Sequence, residues 1–198
     1  MKNLSPARHI LGMKISRPRN RTQFFLSQAN YIERALEHFN MESTKFAFIP
    51  LLSSLWLSQK NCSTSSPKGE IIKSVPYAPT INSLVYTTVA TRLDLAHAIR
   101  VISRFMHNFD QLHWNVVKHM CGYLMGAKDY DILFRLNETS SVVGYIDSNF
   151  AGCLDSRKST TGYCFKFSNG AISWKSKLQE CTTTLTTEVE YIPMSCMP

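Results

Sequence analysis

The feature that most constrains this chain is a change of hydrophobic period near residue 130. Between residues 81 and 124 apolar side chains recur every three or four positions: Leu95, Ile99, Ile102 and Met106 form one stripe, and Trp114, Val117, Cys121 and Leu124 form another. That spacing stacks them on one face of a helix. Beyond residue 130 the runs 131–136, 142–147, 161–167 and 171–174 are short, rich in Val, Ile, Phe and Tyr, and separated by Gly, Asn, Asp and Ser. They predict three or four strands. Helices followed by strands, with little alternation, predict an α+β fold.

Upstream, residues 10–15 and 22–27 read as two short strands around a turn containing Pro18 and Asn20. Ser27 is placed to cap a helix over 28–39, where Ile32, Ala35, Leu36 and Phe39 repeat at helical spacing. Residues 50–76 are rich in Ser, Lys and Pro and predict a linker or long surface loop. Three helices are expected next: one within 81–90, one capped by Asp94, and one from Gln111 to near Gly126. A last helix opens after Thr182 but meets Pro193, which predicts an early stop.

Composition narrows the function classes. The chain has 198 residues, room for one ordinary domain or two small ones and not for a large enzyme. Its net charge of +8 is concentrated in residues 1–80, where eleven basic side chains face four acidic ones. Such an excess is compatible with a polyanionic partner. The six cysteines form no CxxC pair, and no signal peptide or 18-residue apolar stretch is present, so we expect a reduced, intracellular protein that does not cross a membrane.

Few residues offer chemistry. Asp147 closes the apolar run 142–146, a position that suits a metal ligand held by a packed strand and, on the residues alone, suits a strand-ending turn better. Glu188 and Glu190 flank Val189. Two apart on a helix, they point about 200° away from each other and cannot share one ion. Arg17, Arg19 and Arg21 form a basic turn that can meet phosphates or simply face water. His97, His107, His113 and His119 have no acidic partner at ligand spacing, and no phosphate-cradling glycine loop or nucleophile elbow is present.

Several motifs carry a family likeness. They include Ile10-Leu11-Gly12-Met13-Lys14-Ile15, Thr91-Arg92-Leu93-Asp94-Leu95-Ala96-His97-Ala98, Gly144-Tyr145-Ile146-Asp147-Ser148-Asn149-Phe150-Ala151-Gly152, Ile172-Ser173-Trp174 and Thr187-Glu188-Val189-Glu190-Tyr191. In this order they resemble the Pol polyprotein of Copia-type LTR retrotransposons, plant members in particular, across about nine tenths of the chain. The resemblance implies four segments. Residues 1–49 would end the reverse transcriptase region, 50–76 would link, 77–128 would form the helical connection, and 129–198 would begin a ribonuclease H-like domain.

The implied fold is a remnant of the polymerase palm and connection, hairpin plus helical cluster, followed by an incomplete mixed β-sheet. The implied chemistry is Mg²⁺-dependent hydrolysis of the RNA strand of an RNA–DNA hybrid. Asp147 matches the central-strand carboxylate and Glu190 best matches the helix carboxylate, with Glu188 the alternative. The departures are Asn149 where a second Asp is usual, Phe150 for Trp, Leu93 for Pro, Pro193 in the final helix, and no later Asp. They imply a catalytically incomplete chain, the rest of a Pol polyprotein being absent. A nucleic-acid-binding or non-functional remnant is the alternative expectation.

Overall fold

The computed structural model describes residues 6–18, 22–52, 55, 57–59, 62, 72, 74–136 and 141–195. Arg19, Arg21 and most of segment 50–76 lie outside them. Of that segment, Leu57 packs into the main core and Ile72 is buried.

The expected first hairpin forms, with an extra turn inside it. The run 10–15 splits into β1 (His9–Ile10) and β2 (Met13–Ser16) because Leu11 and Gly12 both adopt positive φ, 46° and 74°. Two left-handed residues make the tight turn that matches strand twist, and Gly12 enters it without steric cost. β2 then pairs antiparallel with β3 (Gln23–Ser27), Ile15 opposite Leu26. Ser27 Oγ accepts from the Ala29 amide at 3.4 Å as α1 (Ala29–His38) begins, and Ile32 and Leu36 turn inward.

The helical cluster follows: α2 (Tyr77–Ala90), a 3₁₀ turn (Leu93–Leu95), α3 (Ala96–Ile102), a second 3₁₀ turn (Ser103–Phe105) and α4 (Gln111–Gly126). Ile81, Leu95, Ile102, Val117 and Met120 are closed off from water. Each such side chain contributes about 1.5–3 kcal/mol of transfer free energy. Buried threonines on α2 are satisfied locally, Thr87 and Thr88 donating to the carbonyls of Ser83 and Leu84 one turn back.

At the start of α4, Asp110 Oδ1 accepts from the His113 amide at 3.1 Å and the Asp110 amide donates back to His113 Nδ1 at 3.3 Å, a reciprocal cap. Gly122 lets the chain at Lys45 cross this helix, since a Cβ there would stand 2.1 Å from the Lys45 carbonyl oxygen.

Asp94 does not cap a helix. Its carboxylate takes two hydrogen bonds from Arg92, at 2.6 and 3.0 Å, and one from the Tyr123 hydroxyl at 2.6 Å. Arg92 is 1% exposed, donates also to the Ala127 carbonyl at 2.7 Å, and lies against the rings of Tyr123 and Tyr130. A charge removed from water to this degree is tolerated only with such a full set of partners.

β4 (Ile132–Arg135), grouped by its sequence position with the strands that follow, hydrogen-bonds instead to β3. The first sheet has the order β1-β2-β3-β4, with Phe24 stacked on Phe134 at 4.6 Å. The second sheet is β5 (Val142–Asn149), β6 (Thr160–Phe167) and β7 (Gly170–Leu178), in that order.

Every pairing among the described residues is antiparallel, where a mixed sheet was expected. The connections within the second sheet are short, and a parallel pair needs a crossover of a dozen or more residues. The last helix, α5 (Thr186–Ser195), does not stop at Pro193 but runs through it. No helix among the described residues is long and apolar enough to cross a membrane. The architecture is α+β: a helical cluster with two sheets.

Candidate functional site

Strand alternation decides which way Asp147 points. On β5, Tyr145, Asp147 and Asn149 share one face; opposite them in register are Cys164, Gly162 and Thr160, and beyond these Trp174 and Ser176 of β7. This face meets the helical cluster, because the Trp174 indole N–H donates to the Thr88 carbonyl at 2.9 Å. Thr88 O is near the end of α2, where the Arg92 amide bonds to Thr87 instead, so the indole caps a helix terminus.

Two more polar contacts tie the same halves together. Arg104 donates to Cys153 Sγ at 2.8 Å, and the Ser58 hydroxyl donates to Asp155 at 2.5 Å.

Between the halves lies a groove of about 340 Å³ whose lining includes Leu93, Ala96, His97, Asp147, Asn149 and Trp174. Asp147 is exposed there, and its Oδ1 accepts from the Ser148 amide at 2.9 Å. His97 reaches the groove from α3, fifty residues away in sequence. Its pKa is pushed below the ordinary histidine value, by burial first and by the nearby Arg104 charge second. Both influences favour the uncharged imidazole. Nothing in the spacing of the histidines announced this neighbour, because the proximity is created by docking the sheet on the cluster.

The opposite face of the sheet carries Ile146, Ser148, Thr161, Tyr163 and Lys175, and α5 lies across it. Glu188 and Glu190 are both exposed on that helix, while Val189 between them is buried. The structure thus places Asp147 and the two glutamates on elements facing opposite ways. Of the basic turn, Arg17 is described and is exposed just past β2.

Mg²⁺ takes oxygen ligands in near-octahedral order and needs carboxylates gathered at one point. Among the described residues no three His, Cys, Asp or Glu side chains gather in a way that could hold a metal ion. The groove offers one carboxylate, an amide, hydroxyls and an imidazole. That donor set does not fit a pair of Mg²⁺ ions.

Comparison with known proteins supplies the ancestry. The chain is 49% identical over 193 residues to the retrovirus-related Pol polyprotein from transposon TNT 1-94 of Nicotiana tabacum, covering 97% of this chain and 14% of that protein. It is 33% identical over 166 residues to the retrovirus-related Pol polyprotein from transposon RE2 of Arabidopsis thaliana, covering 84% of the chain and 11% of the relative. A protein named secreted RxLR effector protein 161, from Plasmopara viticola, is 39% identical over 63% of the chain and 87% of its own length.

No protein-family model matches the chain, and no solved structure matches it. The chain spans about a seventh of the first of these Pol relatives. Similarity along nearly its whole length to Pol polyproteins shows that it belongs to the Pol family of Copia-type LTR retrotransposons and corresponds to a fragment of such a polyprotein.

Proposed function

We propose that this chain corresponds to the region of a Pol polyprotein that joins the polymerase to the ribonuclease H, and that by itself it is catalytically incomplete. The observation that carries this is the placement of the carboxylates: Asp147 faces the helical cluster while Glu188 and Glu190 ride on a helix across the other face. A two-ion hydrolysis needs them at one point.

In this reading residues 1–49 and the helices of 77–128 descend from the polymerase end and the connection, with 50–76 linking them. We move the seam with the ribonuclease H-like part from residue 129 to beyond β4, because β4 hydrogen-bonds to β3. Asp147 and Glu190, or Glu188 in its place, descend from the carboxylates of the nuclease. The partner class is an RNA–DNA hybrid, met inside the cell and together with the remainder of a Pol polyprotein.

The test is a cleavage assay on a labelled RNA–DNA hybrid with Mg²⁺, using the purified chain, Asp147→Asn and Glu190→Gln. We expect the same background from all three. Metal-dependent cutting by the unaltered chain that vanishes in Asp147→Asn would overturn the incompleteness. Binding of the hybrid that weakens steeply from 50 to 200 mM salt would instead favour a retained nucleic-acid-binding role.

A further inference from the structure

Pro193 sits in the interior of α5, the eighth of its ten residues. A proline there has no amide hydrogen to give the carbonyl four residues back, and its ring crowds that carbonyl, at a cost of about 3 kcal/mol in an ordinary helix. The carbonyl deprived of its partner is that of Val189, a residue 1% exposed and so out of reach of bulk water. An unpaired buried carbonyl should end the helix.

The chain supplies another donor. Gln179, one residue past β7, points its Nε2 at the Val189 oxygen at 3.0 Å and gives its other amide hydrogen to Thr161 Oγ1 at 2.9 Å. The Gln179 backbone amide is itself fixed to the Ser159 carbonyl at 2.8 Å, and the residue is 6% exposed. The orientation of the side-chain amide follows from chemistry. Val189 O can only accept, so nitrogen and not oxygen must face it. The outcome is visible on the other side of the amide, where Gln179 Oε1 is buried with no hydrogen-bond partner among the described residues. An acceptor left unsatisfied is tolerated here in exchange for two donated bonds.

We propose that Gln179 is the positioning residue for α5: it replaces the hydrogen bond that Pro193 removes and holds the turn bearing Glu188 and Glu190 against the β5–β6 face. The bond to Thr161 registers the helix on the sheet, and the bond to Val189 keeps it helical through the proline. The consequence for Glu188 and Glu190 rests on reading them as the nuclease's helix carboxylates. The linkage between Gln179 and Pro193 does not.

The experiment is a double-mutant cycle in the full chain, read by thermal unfolding and by amide hydrogen exchange. Gln179→Glu keeps the size of the side chain but replaces the donating nitrogen by oxygen, and we expect it to lower Tm by about 5 °C. It should also speed exchange in residues 186–192, leaving 111–126 protected. In a Pro193→Ala background residue 193 can again donate to Val189, so the same substitution should cost less than half as many degrees.

Equal losses in the two backgrounds would overturn the proposal, as would unchanged exchange in 186–192. Should Gln179→Glu fail to fold, rescue of folding by adding Pro193→Ala supports the linkage, and failure to rescue counts against it. None of these readouts involves cleavage, so hybrid hydrolysis by the chain would overturn the functional reading while leaving this one standing.

Discussion

The helical cluster and the second sheet solve the problem of burial in different ways. In the cluster, α1 to α4 surround a continuous core of Ile32, Ile81, Leu95, Ile102, Val117 and Met120, and even the guanidinium of Arg92 is buried, paired with Asp94. In the second unit Val142, Val143 and Tyr145 of β5 are exposed, and its buried apolar side chains are few, Cys153, Ala171 and Val189 among them. The cluster encloses a core of its own. The sheet depends on what it touches: the cluster through Trp174 and α5 through Gln179. The difference also separates scaffold from chemistry, because the candidate carboxylates all lie in the less enclosed unit.

The sharpest way to break this contrast is truncation inside the cluster. Ile102→Ala should remove about 2–5 kcal/mol of unfolding free energy in urea titration, from lost burial plus the cavity left behind. A loss of that size from Val143→Ala in β5 would erase the distinction.

Next in size is the acid response of the cluster. Burial acts to raise the pKa of Asp94, but hydrogen bonds from Arg92 and Tyr123 and the guanidinium charge outweigh it and hold the carboxyl below its ordinary value. A carboxylate with a depressed folded pKa contributes stability above its unfolded value, and that contribution is lost as pH falls through the folded one. Stability measured below about pH 4 should therefore fall with a slope that Asp94→Asn reduces.

A smaller effect is expected at the contact between the two units. Trp174→Phe deletes the indole donor to Thr88 and should cost about 1 kcal/mol. Its diagnostic is regional: proteolysis of 142–195 should begin earlier while the cluster keeps its urea midpoint. Loss of both together would show one cooperative unit. Smallest of all, Val143→Ala should change stability by no more than about 0.5 kcal/mol, the range for exposed positions.

Much of the cluster was legible in advance for a local reason. Residues 111–126 form α4 with the bounds that the Trp114, Val117, Cys121 and Leu124 spacing implied, and Asp110 caps it. The strands expected over 142–147, 161–167 and 171–174 are present and extend a few residues further. An Asp before an apolar run is a capping signal, but the Asp94 carboxylate is taken instead by Arg92 and Tyr123, the latter twenty-nine residues away. The stop expected at Pro193 failed similarly, since the donor that rescues Val189 comes from outside the helix. Of the candidate site, Asp147 and the two glutamates were found by motif. His97 has no acidic neighbour at ligand spacing in the sequence, and only the fold sets it on the same groove as Asp147.

By itself, then, the sequence determined what depends on residues within a turn or two of one another: the helical stripes, the strand runs, the basic N-terminal half and the order of motifs that marks the family. Tertiary structure decided the pairing of β4 with β3 across about a hundred residues, the enclosure of Arg92, the passage of α5 through Pro193, and the separation of Asp147 from Glu188 and Glu190 onto opposite sides. Periodicity reports which face of an element is apolar, but not which other element covers it. The choice of cover assigns each carboxylate its surroundings.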